Sequence, residues 1–174
     1  MRSWLLVRDE VSATLDAVDP ARMNAAAAVF ADRNRRWFTS GQGRSGIVAR
    51  MIAMRLMHLG FDVHVVGETT APSIGARDGL LMLSSSGETP VSVHLARLAA
   101  EAGARILAVT TRPDSSLAAM ANVVVPVPIP ASKQFGGSLF EQAALMLLDA
   151  LILDLTSDDP HAHDLMQRRH TNLE

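Results

Sequence analysis

Arg36-Trp37-Phe38-Thr39-Ser40 runs directly into Gly41-Gln42-Gly43-Arg44-Ser45-Gly46. The first five residues read as a short β-strand, and the glycines break it. From about Ser45 to Leu59 the apolar residues recur with helical spacing until Gly60 closes the run. A strand, a glycine turn and a helix in immediate succession are the opening of an α/β unit. The same alternation continues downstream. Strands are expected at 62–66, 80–83, 105–110 and 123–127. Helices are expected at 90–102, closed by Gly103, at 116–121 and at 138–155, with a last one opened by Asp159-Pro160. Continuous Val, Leu and Ile runs such as Leu80-Leu81-Met82-Leu83 mark strands buried on both faces. Such strands alternating with helices predict a parallel, doubly wound α/β sheet. Two helices precede this core. One covers about Trp4 to Val18. The next starts at the N-cap pair Asp19-Pro20 and ends near Asp32.

The chain has 174 residues, which fits one domain. We divide it into N-terminal helices (1–34), an α/β core (35–156) and a C-terminal helix with its tail (157–174). At 48% hydrophobic and 20% charged it has a globular composition. It contains no Cys, so disulfides, thiolate metal sites and a cysteine nucleophile are excluded. A net charge of −2 argues against nucleic acid as a partner held by bulk charge. The start, Met1 to Val11, does not read as a signal peptide, because Arg8, Asp9 and Glu10 follow its short apolar run at once. The apolar region from Leu139 to Leu155 is interrupted by Glu141, Gln142, Asp149 and Asp154, so it reads as a buried helix with no membrane partner. The expected location is the cytoplasm.

In open α/β sheets, ligands bind at the carboxyl ends of the strands, and two loops there stand out. Gly41-x-Gly43-x-x-Gly46 fits the dinucleotide fingerprint, and Glu68 follows the next strand where a ribose-binding carboxylate would sit. Taken alone, a tight glycine turn with no ligand explains it better. The second loop, Ser84-Ser85-Ser86-Gly87-Glu88-Thr89, follows a buried strand and precedes Pro90 in the first turn of a helix. A helix cap needs one hydroxyl; this loop offers four in six residues. Together with free backbone N–H groups they make an anion cradle. With Ser45 facing it, the site suits one compact phosphate monoester. A dinucleotide would need a groove and a second domain for which this chain has no room.

Taken together, GQGRSG (41–46), AMRLMHLGF (53–61), VVGETTAP (65–72), SSSGET (84–89), GSLFEQ (137–142) and RHTNLE (169–174) resemble the sugar-isomerase (SIS) domain family, and within it the hexulose-phosphate isomerases. The resemblance covers nearly the whole chain. It implies a single SIS domain with a five-stranded sheet in flavodoxin-like order, and a phosphate subsite at Gly43, Arg44, Ser45, Ser84, Ser85, Ser86, Gly87 and Thr89. It further implies interconversion of D-arabino-hex-3-ulose 6-phosphate and fructose 6-phosphate, as in formaldehyde assimilation through ribulose monophosphate, by a homotetramer. Two departures stand out. Ser85 occupies a position where the family often has Gly, and Phe135-Gly136 replaces a common Pro-Met.

Moving a carbonyl from C3 to C2 requires a proton to leave C2 and one to arrive at C3 through an enediolate. One carboxylate can shuttle it while a second group serves the oxygens. No metal or redox cofactor is needed. Glu141 is the candidate base, flanked by apolar residues. The residues alone fit a capping box, Ser138-x-x-Glu141, as well; the resemblance assigns the catalytic glutamate here. His58 is the second candidate, with an interaction at its helix C-terminus as the alternative. If it acts, it acts in a neighbouring subunit, because it ends the helix that starts at the phosphate loop. His170, in the tail, is a weaker candidate. Arg33, Arg35 and Arg36 read as a solvated edge. His161 and His163, with Asp158, Asp159 and Asp164, look metal-like, but i and i+2 point to different helix faces. The apolar helix at Met51–Met57 suggests contact between subunits. A sugar-phosphate sensor without catalysis and an aldose–ketose isomerase remain as other readings.

Overall fold

Strands that are apolar on both sides are stable only in the middle of a sheet covered on both faces. The computed structural model of the chain, which describes residues 2–157 and 159–173, places them there. The elements run α1 (Ser3–Asp16), α2 (Pro20–Phe30), β1 (Trp37–Gly41), α3 (Arg44–His58), β2 (Val63–Val65), β3 (Gly79–Leu83), α4 (Pro90–Glu101), β4 (Arg105–Thr110), α5 (Ser116–Met120), β5 (Val123–Pro126), a 3₁₀ turn (Phe135–Gly137), α6 (Ser138–Asp154) and α7 (Ala162–Arg169). All five strands are parallel, in the order β2-β1-β3-β4-β5. This is the expected flavodoxin-like order, and it puts the reversal of winding between β1 and β3.

The two faces of the central strands carry separate cores, as a period of two dictates. Leu81 and Leu83 of β3 and Leu107 and Val109 of β4 pack under α2, α3 and α6. Leu80 and Met82, with Ile106 and Ala108, pack under α4 and α5. The segment Phe135–Asp154 is long and apolar enough to cross a membrane, with a mean hydropathy of 1.4 over an 18-residue window. It nevertheless buries Leu139, Phe140, Ala143, Ala144, Leu147, Leu148 and Leu151 against the first core, which makes α6 a core helix.

Helix α2 is capped as expected: Asp19 Oδ1 accepts from the Ala21 N–H at 2.9 Å, with Pro20 in the first turn. At the C-terminus the expectation needs correction. Asp159 accepts from the His161 N–H at 2.8 Å and forms a turn, so α7 starts only at Ala162. Asp158 lies outside the described residues.

The three arginines before β1 are not a solvated edge. Arg36 forks onto Asp78 (Nη2–Oδ2 2.6 Å, Nε–Oδ1 3.2 Å) and reaches the Ser73 carbonyl. Arg35 donates to the carbonyls of Arg77 and Asp78, and Arg33 to those of Leu59 and Leu155. They clamp the amino ends of the strands, where carbonyls that end helices or connect strands need donors.

The glycine turn of the first α/β unit works through close approach. A Cβ on Gly46 would lie 2.6 Å from the Gly41 carbonyl oxygen, and one on Gly41 would lie 2.7 Å from the Ser45 carbonyl carbon. Only hydrogen fits at either position, so α3 leaves β1 at the tightest possible corner.

At the other end of α3, His58 is nearly enclosed at 8% exposure. The His170 ring stacks on it at 5.5 Å between centroids and 14° between planes. The tail is therefore docked at this point, where a frayed terminus was the alternative. Burial, then the neighbouring His170 and Arg55, hold the His58 pKa below its ordinary 6.5.

Two outcomes follow from this packing. Gly46→Ala should lower stability by about 1–3 kcal/mol, roughly 2–10 °C in Tm; an unchanged melting curve would show that the corner can open without cost. His58 binds its proton more weakly in the folded chain than in the unfolded one. Its contribution to stability is therefore full above about pH 6.5 and is lost as the pH falls below that value. The decline in Tm between about pH 6.5 and pH 5 should be shallower in His58→Asn than in the wild type. Parallel curves would assign the decline to another group.

Candidate active site

Parallel pairing gathers the loops that follow β1, β3 and β4 at one edge of the sheet. There the first loop turns through Gly43, the N-cap of α3, with φ 58° and ψ −130°, and this brings Gln42 and Ser45 to the rim of a cleft. The serine loop forms its wall. Ser84, at 3% exposure, donates to Thr89 Oγ1 at 3.3 Å, and Ser86 Oγ accepts from the Glu88 N–H at 3.2 Å. Ser85 fixes the loop through its backbone. Its carbonyl accepts from the Thr111 N–H and from the hydroxyls of Thr110 and Thr111, all at 2.9–3.0 Å. Gly87 has φ 65° and lies against Ser115, whose side chain occupies the space a Cβ would need.

Thr89 stands at the N-cap of α4, yet no side chain accepts a hydrogen bond from the first turn of that helix. The hydroxyls thus do not serve as a helix cap. Orphan N–H donors and the positive end of a 12-residue helix remain directed at the cleft. The cleft has a volume of about 450 Å³. Gln42, Ser45, Ser84, Ser85, Ser86 and Thr89 line it, together with Ser92, Thr111 and Arg112. Gln42 and the last three were missed from sequence. Thr111 and Arg112 carried a readable signal, since they follow β4 at its carboxyl end. Ser92, fully buried and with an unpartnered hydroxyl, carried none. Glu88 braces the loop from outside, its Oε1 accepting from the Ser116 N–H at 2.7 Å, and this bond holds the carboxyl below its usual pKa range.

The alternative for Glu141, a capping box with Ser138, does not form. Gly137, in the left-handed conformation (φ 80°), takes the N-cap of α6, so Ser138 falls one position late and donates to the Phe135 carbonyl at 2.6 Å. Glu141 turns instead to Arg44, whose Nε donates to its Oε1 at 2.8 Å. Its other oxygen, Oε2, is buried without a partner. Arg44 therefore does not line the cleft; it joins the glycine loop after β1 to α6. Gly43 and Gly87 shape the loops without lining the cleft.

His58 and His170 are not brought to this cleft within one chain. Helix α3 has 15 residues, so His58 sits about 20 Å from Ser45 along its axis. Glu68 pairs with Arg50 at 3.1 Å, which ties up the carboxylate a dinucleotide ribose would need. His163 contacts Gln167 along α7. Among the described residues, no three His, Asp or Glu side chains converge in the manner of metal ligands.

Comparison with known proteins agrees with this geometry. The SIS domain model matches residues 30–154, which span the sheet and all three site loops. A 3-hexulose-6-phosphate isomerase of Mycobacterium gastri is 45% identical, with 97% of this chain and 88% of that protein covered. One from Bacillus subtilis is 38% identical, with 79% of each covered. A solved structure of a hypothetical protein from Methanococcus jannaschii, from which a function of 3-hexulose-6-phosphate isomerase has been inferred, superposes over all of both chains with a TM-score of 0.88 at 28% identity. By the match over its whole α/β core, and by relatives aligned along nearly its full length, the chain belongs to the SIS domain family.

Proposed function

We propose that the protein is a phosphosugar isomerase that interconverts D-arabino-hex-3-ulose 6-phosphate and fructose 6-phosphate, a 6-phospho-3-hexuloisomerase. The observation that carries this reading is a cleft of hydroxyls and uncapped helix N–H groups, with Glu141 joined through Arg44 to the loop that carries Ser45 and one of its carboxylate oxygens left unpartnered. The names of the M. gastri and B. subtilis relatives support the choice of substrate.

In this reading the phosphate rests on Ser45, Ser84, Ser86, Thr89 and the first turn of α4. Glu141 Oε2 takes the C2 proton of the 3-ketose, the electrons form the C2–C3 double bond, and the carbonyl oxygen at C3 becomes the enediolate oxygen. The same carboxyl returns the proton to C3, while the proton on O2 passes to O3, leaving the carbonyl at C2. O6 is esterified, so the 3-ketose cannot close a five-membered ring through it, and the forward direction needs little ring opening.

The oxygen-side proton transfer is assigned to His58 of a neighbouring subunit, with His170 beside it. Each chain then serves a site it does not itself complete. Ile47 (60% exposed), Met54 (46%) and Met57 (37%) leave an apolar side of α3 open for such a neighbour. A homotetramer acting in the cytoplasm is the assembly this reading takes.

Replacement of the base keeps the fold and removes the chemistry. Glu141→Gln should lower kcat by roughly 10²–10⁴. The half-exposed ion pair it loses is worth only about 0–1 kcal/mol of stability. Turnover within a few-fold of wild type would refute the assignment. Ser84→Ala and Thr89→Ala should each raise KM by roughly 10–150-fold, the equivalent of about 1.5–3 kcal/mol per hydrogen bond to a charged group. An unchanged KM would place the phosphate elsewhere. Sedimentation of the active enzyme should give an oligomer, and an active monomer would exclude His58 from the reaction.

A further inference from the structure

The geometry points to Arg44 as the positioning residue of Glu141: a residue that binds no substrate but holds the base and the turn before it. This rests on the reading of Glu141 as the base. Arg44 is the first residue of α3, one peptide away from the cleft-lining Ser45. Its guanidinium leaves the cleft and makes two bonds to chain 92 and 97 residues further on. Nε donates to Glu141 Oε1 at 2.8 Å, and Nη2 donates to the Gly136 carbonyl.

Both recipients need such an anchor. Gly136 and Gly137 are left-handed (φ 61° and 80°), so the turn entering α6 consists of two residues with wide conformational freedom. Glu141 lies in the first turn of α6 with no capping bond to hold it. Arg44 engages only one of its oxygens and leaves Oε2 free. A planar guanidinium can bridge two acceptors at fixed angles; an ammonium is a point charge on a flexible stem and cannot. Because Arg44 and Ser45 share a peptide, phosphate seated on Ser45 also fixes the root of the arm that aims the base. The Phe135-Gly136 departure fits this arrangement. A Cβ at Gly136 would lie 3.8 Å from both Arg44 Nη atoms, so the glycine lets the carbonyl face the guanidinium through backbone conformation, with no contact to relieve.

The test is a double-mutant cycle with Arg44→Gln and Glu141→Gln, read as kcat, KM and the inhibition constant of inorganic phosphate. Loss of the anchor misplaces a base, which costs on the order of 10²-fold in turnover. Arg44→Gln should lower kcat by about that factor and change the phosphate constant less than about three-fold. Arg44→Lys should recover only part of the loss. In the Glu141→Gln background, Arg44→Gln should lower the residual rate no further. A ten-fold weaker phosphate constant with kcat retained would overturn the inference and make Arg44 a phosphate ligand. An equal loss in both backgrounds would make it a general structural residue. If Glu141→Gln abolishes turnover while Arg44→Gln is fully active, the inference alone fails. If Glu141→Gln is itself fully active, the assignment of the base fails with it.

Discussion

Gly41 and Gly46 face each other with only hydrogen between them, and the site depends on that contact. It sets the angle at which α3 leaves β1. From that angle Ser45 faces the serine loop on one side and Arg44 faces α6 on the other. A wider corner would carry Ser45 off the cleft and pull Arg44 from Glu141 in the same motion. The close approach that fits a dinucleotide fingerprint thus serves a smaller end here: it brings one hydroxyl and one guanidinium to opposite sides of the same helix start.

The cleft is polar because the sheet beneath it is not. The central strands are buried on both faces, so their chemistry is confined to the carboxyl ends. There the loop after β3 ties into the end of β4 and the start of α5: the Ser85 carbonyl with Thr110 and Thr111, the Gly87 carbonyl with the Leu117 N–H, and the Glu88 carboxylate with the Ser116 N–H. In the proposed reading the hydroxyls left over, and the uncapped first turn of α4, hold the substrate phosphate without a charged residue in each position.

The fold was largely legible because it rests on local patterns. The apolar runs, the glycine turns and the Asp19-Pro20 cap each specify a neighbour within a few residues. That Ser84, Ser85, Ser86 and Thr89 share one cleft was legible for the same reason, since they fall within six residues. What could not be read was decided by contacts distant in sequence. Ser138 and Glu141 have the spacing of a capping box, but the left-handed Gly137 shifts the helix start by one residue and Arg44 claims the carboxylate. The arginines before β1 looked solvated because Asp78 and the carbonyls they hold lie 26 or more residues away. His170 looked frayed because its partner, His58, is more than a hundred residues earlier.

In the proposed function, Glu141 moves a proton between C3 and C2 of a phosphorylated ketose. Incubating the enzyme with fructose 6-phosphate in deuterated water and locating the label by NMR follows that proton. Deuterium is expected at C3 of the recovered fructose 6-phosphate, together with the 3-ketose, and none at C1. Label at C1 would make the protein an aldose–ketose isomerase. No label at either carbon, with fructose 6-phosphate bound, would make it a sugar-phosphate binder without this chemistry.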